Sequence, residues 1–79
     1  MAYLVIRDGE SWSTIFQLIP GKTTTIGRAS TNQIVLSDDR CSRTHAEVYY
    51  NSGDWYVRDL NSRNGTYLNA DPVTTDMRL

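Results

Sequence analysis

Two polar segments carry the residue types that could hold an anion. Arg40-Cys41-Ser42-Arg43-Thr44-His45 and Asn61-Ser62-Arg63-Asn64-Gly65-Thr66 both set arginines beside hydroxyl and amide side chains. Gly27-Arg28 adds a further cation in a third polar segment. Arginine presents N–H donors in a planar fork that matches an anionic oxygen pair, and Ser42, Thr44, Ser62 and Asn64 supply donors suited to phosphate oxygens. Of the eight lysines and arginines in the chain, Arg28, Arg40, Arg43 and Arg63 all fall in these segments, although the formal net charge is only −1. The charge total argues against a general nucleic-acid binder, whose basic excess would show in it. A local basic patch on a nearly neutral chain is the reading that remains.

Other chemistries fit less well. Gly21-Lys22-Thr23 resembles the end of a phosphate-binding P-loop, but the glycine required five residues earlier is Phe16, and a threonine-rich strand follows where a helix is needed. Asn64-Gly65-Thr66 matches a glycosylation sequon, which matters only in a secreted chain, and Asn-Gly is first of all a turn dipeptide. Ser42, His45 and Asp59 are the members of a hydrolase triad by type. On an extended chain, residues three apart stand about 10 Å apart on opposite faces, too far for a serine–histidine hydrogen bond. No nucleophile-elbow pattern surrounds Ser42. A lone histidine entering a strand is better used to tie loop backbone to scaffold through its two ring nitrogens. One cysteine, Cys41, excludes an internal disulfide, and with one histidine a zinc site is not expected. The thiol is expected to be reduced, in a cytoplasmic protein. No run approaches the ~18 apolar residues of a membrane helix. No cofactor and no membrane partner is expected.

The elements that must position these segments are strands. Hydrophobic residues make up 39% of the 79 and charged residues 22%, the balance of a globular domain. A chain this short buries only about 60% of its unfolded surface. Nothing has helical period. Residues 2–7 form a β-rich apolar run that ends at Asp8-Gly9-Glu10. Residues 13–19 alternate, with Ile15, Gln17 and Ile19 on one face and Phe16 and Leu18 on the other. Pro20-Gly21 breaks the chain; residues 23–26 are β-branched, and residues 34–36 are expected to form a very short buried strand. Ala46, Val48 and Tyr50 alternate with Glu47 and Tyr49, and residues 55–60 run back after Asn51-Ser52-Gly53, which predicts a hairpin. Asn64-Gly65 is the strongest tight-turn signal, with Tyr67-Leu68 strand-like behind it. Residues 69–72 read as another turn and residues 73–79 as weakly extended. Seven or eight short strands at this spacing predict a sandwich or barrel. Strand alternation puts the loops after Leu36 and Leu60 at one end of the sheet. It puts Arg28 at the other, unless residues 34–36 fail to cross or change sheets.

Gly27-Arg28, Ser42-Arg43-Thr44-His45 and the run from Asp59 to Asn69, in this order and spacing, together resemble the forkhead-associated (FHA) domain. The resemblance covers nearly the whole chain. It implies an all-β, antiparallel β-sandwich (FHA/SMAD-like) with phosphopeptide-binding loops at one end, an interaction module and not an enzyme. On this sequence, Arg28 would grip the phosphate, Ser42 would donate its hydroxyl to it, and Arg43 would help to hold the peptide. Asn64 would bond the peptide backbone, with Thr44 and Arg63 completing the binding set. Gly27, His45 and Gly65 would be architectural. Arg40, two residues before the serine, would face the third residue after the phosphothreonine, which predicts a preference for an acidic residue there.

The expected partner is a phosphothreonine-containing protein. The expected context is the N-terminal sensor domain of a larger signalling or transcription-regulating protein. The rival from another class is a structural or oligomerisation module that has lost phosphate recognition. The family normally continues with a Gly-Asp turn and two closing strands, so residues 1–79 are expected to form one domain truncated at its C-terminus. The strand at residues 2–7 would then keep an open edge, available for dimer formation. Asp38 and Asp39 lie beside the predicted phosphate site, and their repulsion would weaken binding unless they point away.

Overall fold

The computed structural model describes residues 2–8 and 11–79. Nine strands lie among them: β1 (Ala2–Asp8), β2 (Ser11–Leu18), β3 (Thr24–Gly27), β4 (Ile34–Val35), β5 (Ala46–Asn51), β6 (Asp54–Asp59), β7 (Tyr67–Leu68), β8 (Asp71–Pro72) and β9 (Met77–Arg78). One layer is a five-stranded sheet in the order β4-β3-β5-β6-β9; the β1-β2 and β7-β8 ribbons make the rest of the sandwich. Leu18, Val48, Val57 and Val73 are buried together, packed against by Ala2, Leu4, Ile26, Trp55, Leu68 and Met77. Both layers contribute to that cluster, so one core joins them. The side-chain period of two decides which residues enter it. On β5, Ala46 and Val48 are buried while Glu47 and Tyr49 face outward; on β2, Leu18 is buried while Ile15 is 68% exposed.

Turns follow their local chemistry. After β2, the amide of Lys22 bonds the Ile19 carbonyl, with Pro20 and Gly21 (φ +89°) between, the positions that favour proline and a left-handed residue in a type II turn. β5 and β6 pair antiparallel from Ala46↔Asp59 to Asn51↔Asp54, closed by Ser52 (φ +50°) and Gly53 (φ +91°). The Asn64-Gly65 signal closes no hairpin. Gly65 is left-handed at +84°, but β7 pairs with β8 across Asn69 and Ala70, at +50° and +73°. Residues 69–72, read above as turn alone, therefore contain the turn and a two-residue strand. Ser11 and Trp12, outside the predicted second strand, belong to β2 and pair with Asp8 and Arg7. The Gly9-Glu10 turn lies outside the described residues.

The arrangement that matters for the site is at β3 and β4. They pair parallel, Ile26 with Ile34 and Gly27 with Val35, so the sheet is not antiparallel throughout. The chain leaves Gly27, loops out through residues 28–33 and returns to run alongside β3 in the same direction. Residues 34–36 never cross the sheet to the other end, and the amide of Leu36 bonds the Gly27 carbonyl. The loop after β3 and the loop after β4 therefore share one end. Among the described residues β1 pairs with β2 alone.

Candidate anion-binding loops

Three loops meet at that end: residues 28–33, 37–45 and 60–66. The first two are stitched through backbone. Arg28 and Ala29 donate their amides to the carbonyls of Ser42 (2.9 Å) and Arg43 (3.1 Å), and His45 donates its amide to the Ile26 carbonyl at 2.8 Å. The Arg28 guanidinium is held as well, Nε donating to the Cys41 carbonyl at 3.2 Å, although the residue as a whole is exposed. Gly27 is buried where two backbones approach too closely for any side chain. A Cβ there would lie 2.2 Å from the Arg43 carbonyl oxygen and 2.8 Å from Asn32 Nδ2. Its requirement is for space.

The third loop is tied to the second by side chains. The His45 ring uses both nitrogens: Nδ1 accepts from the Ser42 amide at 3.0 Å, and Nε2 lies 2.9 Å from the Gly65 carbonyl, the donor role that this tautomer leaves it. The premise of an extended chain between Ser42 and His45 fails, because a turn brings them together. The histidine meets serine backbone, however, and not the hydroxyl. Ser42 Oγ accepts from the Arg63 amide at 2.9 Å, so its lone pair is engaged and its proton remains to be donated. Asn64 Nδ2 donates to the Arg40 carbonyl at 2.7 Å, which leaves Oδ1 and one N–H to a ligand. Arg43, Thr44 and Arg63 are exposed on the same loops.

Asp59, at the end of β6, organises the third loop. Its Oδ2 accepts from the Ser62 amide at 3.0 Å, and its Oδ1 accepts from the Ser62 hydroxyl and from Thr66 Oγ1 at 2.6 Å. Burial alone would raise its carboxyl. The hydrogen bonds from Ser62 and Thr66, with the nearby His45, outweigh that and hold it below the ordinary value. The three residues of the hydrolase alternative are thus engaged elsewhere: Ser42 Oγ with Arg63, His45 with backbone, Asp59 with its own loop. Asp38 is turned onto Arg40, its carboxylate taking both Nε (3.1 Å) and Nη2 (2.9 Å). Burial raises the Cys41 thiol above its usual range.

Sequence reasoning missed Asn32. Its Nδ2 donates to the carbonyls of Ala29 (2.8 Å) and Arg43 (2.7 Å), pinning the first loop to the second. An asparagine three residues after a residue whose carbonyl needs a partner was the only local sign of it. A mainly apolar cavity of about 550 Å³, lined by Ala2, Gln17, Leu18, Ile19, Pro20, Tyr50 and Trp55, opens away from these loops and contains no charged group.

The FHA domain profile matches residues 24–79. The chain belongs to the FHA family. The FHA domain-containing protein FhaB of Mycobacterium tuberculosis is 40% identical over 77 residues, covering 98% of this chain and 49% of that protein. The chain spans about half the length of the curated relatives it matches. A solved FHA domain described by its phosphothreonine-dependent interactions superposes with TM-score 0.80 at 32% identity, covering 98% of this chain and 75% of the other. Mycobacterium tuberculosis EmbR, solved with a low-affinity phosphopeptide, gives 0.69 at 32% identity over 72% of this chain and 15% of its own. The matched profile includes all three loops, so the FHA assignment covers every candidate site residue.

Proposed function

We propose that this FHA domain binds phosphothreonine-bearing segments of partner proteins and is a recognition module without catalysis. The observation that carries the reading is the meeting of Arg28, Ser42 and Asn64 at one end of the sandwich: the Arg28 and Ser42 backbones are bonded to each other, and the Asn64 side chain is bonded to the Arg40 carbonyl. Arg28 supplies a charge-assisted fork for the phosphate. Ser42, its oxygen already occupied by the Arg63 amide, is left as a donor to a phosphate oxygen. Asn64 keeps one acceptor and one N–H for the peptide backbone, and Arg43, Thr44 and Arg63 line the approach. Arg40 favours an acidic residue at the third position after the phosphothreonine.

The relatives' greater length supports the further reading that the domain is the sensor portion of a longer signalling or transcription-regulating protein, for which we propose a cytoplasmic location. The test is titration of matched phosphothreonine, phosphoserine and unphosphorylated peptides onto wild type and Arg28→Ala. Loss of a charged hydrogen bond of about 1.5–3 kcal/mol weakens phosphopeptide binding roughly ten- to a hundredfold. Equal affinity for phosphorylated and plain peptides would overturn the proposal in favour of a purely structural module.

A further inference from the structure

The loop before Ser42 already contains a carboxylate–guanidinium pair of the kind an acidic ligand would make. Asp38 Oδ1 accepts from Arg40 Nε and from the Arg40 amide (2.9 Å), while Oδ2 accepts from Nη2. The amide of Cys41 bonds the Asp38 carbonyl at 2.9 Å, so a tight turn holds acid and base on one short arc. From the other side, Asn64 pins the Arg40 carbonyl. Arg40 is thus fixed at the rim of the proposed site by its backbone, with its charge already answered from within the chain.

We infer that Asp38 is an internal competitor for the acidic side chain of the ligand, and so sets how strongly the domain prefers acidic phosphopeptides. This rests on the phosphothreonine-binding reading and adds a specificity-determining residue to it. The two side chains are 85% and 46% exposed for Arg40 and Asp38, so the pair lies in solvent where an incoming carboxylate can share or displace it. Two N–H groups of Arg40 face Asp38, and the pair carries no net charge. A ligand carboxylate gains only the difference between its own contact and the one it disturbs. Asp38 competes from within the same turn, at an effective concentration that a separate peptide does not reach. The hydrogen bonds from Arg40 hold the Asp38 carboxyl down at about 2, so the competitor is ionised throughout the neutral range.

The experiment is fluorescence anisotropy at low ionic strength with phosphothreonine peptides that differ only in Ala, Gln or Asp at the third following position, and with the Asp moved to the first, second and fourth. The proteins are wild type, D38N, R40Q and D38N/R40Q. D38N is expected to tighten the best Asp peptide about two- to fivefold, the scale of an exposed ion pair, and to change the Ala peptide little. In the R40Q background that gain disappears, because the coupling runs through Arg40. Equal tightening of Asp and Ala peptides would mean general removal of negative charge and would overturn the inference. So would a loss or no change for the Asp peptide, which would make Asp38 a support that preorganises Arg40. Phosphate-dependent binding without the selective gain sinks this inference alone, whereas absence of phosphate dependence sinks the proposed function and this inference with it.

Discussion

At the scale of single residues, the site depends on atoms that touch no ligand. Gly27 is the sharpest case: its missing side chain lets the Arg43 carbonyl approach to where a Cβ would be, at 2.2 Å. Gly27→Ala must push apart the two backbones that place Arg28 and Ser42. Overpacking of this kind costs about 1–3 kcal/mol. We expect a lowered denaturant midpoint, and phosphopeptide affinity reduced by more than the stability loss explains while the domain is still folded. Unchanged binding by the folded variant would show that the stitch between the loops is not needed. His45 offers an independent check, since Nδ1 holds the Ser42 amide and Nε2 the Gly65 carbonyl. His45→Ala breaks two ties of about 0.5–1.5 kcal/mol each without removing a predicted ligand contact. Titration calorimetry should show weaker phosphopeptide binding, and an affinity equal to wild type would contradict the role.

At the scale of elements, Asp59 converts the end of β6 into a fixed loop. Asp59→Ala removes the acceptor for Ser62 and Thr66 and is expected to cost about 1–3 kcal/mol in chemical denaturation. The pH dependence has a definite sign. The folded carboxyl lies below its ordinary value of about 3.9, so its contribution is complete above that pH and is lost as pH falls through the lower folded value. Thermal unfolding between pH 3 and 7 should therefore show a shallower acid limb for Asp59→Asn than for wild type; equal limbs would refute it.

The strands and the β5–β6 hairpin were legible because alternation between Ala46 and Asp59 is a local signal that burial enforces. The place of Arg28 was not, since it depends on parallel pairing of Gly27 with Val35 across an intervening loop. Nothing local distinguishes such a strand from one that crosses the sheet. Asn64-Gly65 was legible only in part, for a related reason. Its turn propensity is expressed as a left-handed Gly65, but long-range bonds from Asn64 to Arg40 and from His45 to Gly65 decide where the loop goes. The family motif pointed to candidate site residues without explaining how the loops meet.

For the whole molecule, the question is how a chain of net charge −1 attracts a group of charge near −2. Screening answers it: at about 0.15 M salt the Debye length is about 8 Å, so a ligand responds to the charges around it and not to the total. Arg28, Arg40, Arg43 and Arg63, four of the eight cations, sit on loops at one end of the sandwich. Asp38 offsets Arg40, and the opposing partners of Arg58 lie on the outer face of the five-stranded sheet, where Glu47 and Asp76 hold it. With Asp38, Asp39 and Asp59 set against those four arginines, the loops keep an excess of one positive charge on an almost neutral domain, and binding should weaken as salt rises. It should also follow the ionisation of the ligand. Phosphate loses its second proton near pH 6, so affinity for a phosphothreonine peptide should hold steady from pH 8 to 7 and fall as pH drops through about 6. Asp38 and Asp59 are both ionised well below that range and contribute no change of their own. An analogue peptide whose phosphonate ionises at lower pH separates ligand from protein, since its binding curve should shift to lower pH by the difference in the two ionisations. A midpoint that stays put when the ligand is changed would assign the transition to the protein and refute this account of the attraction.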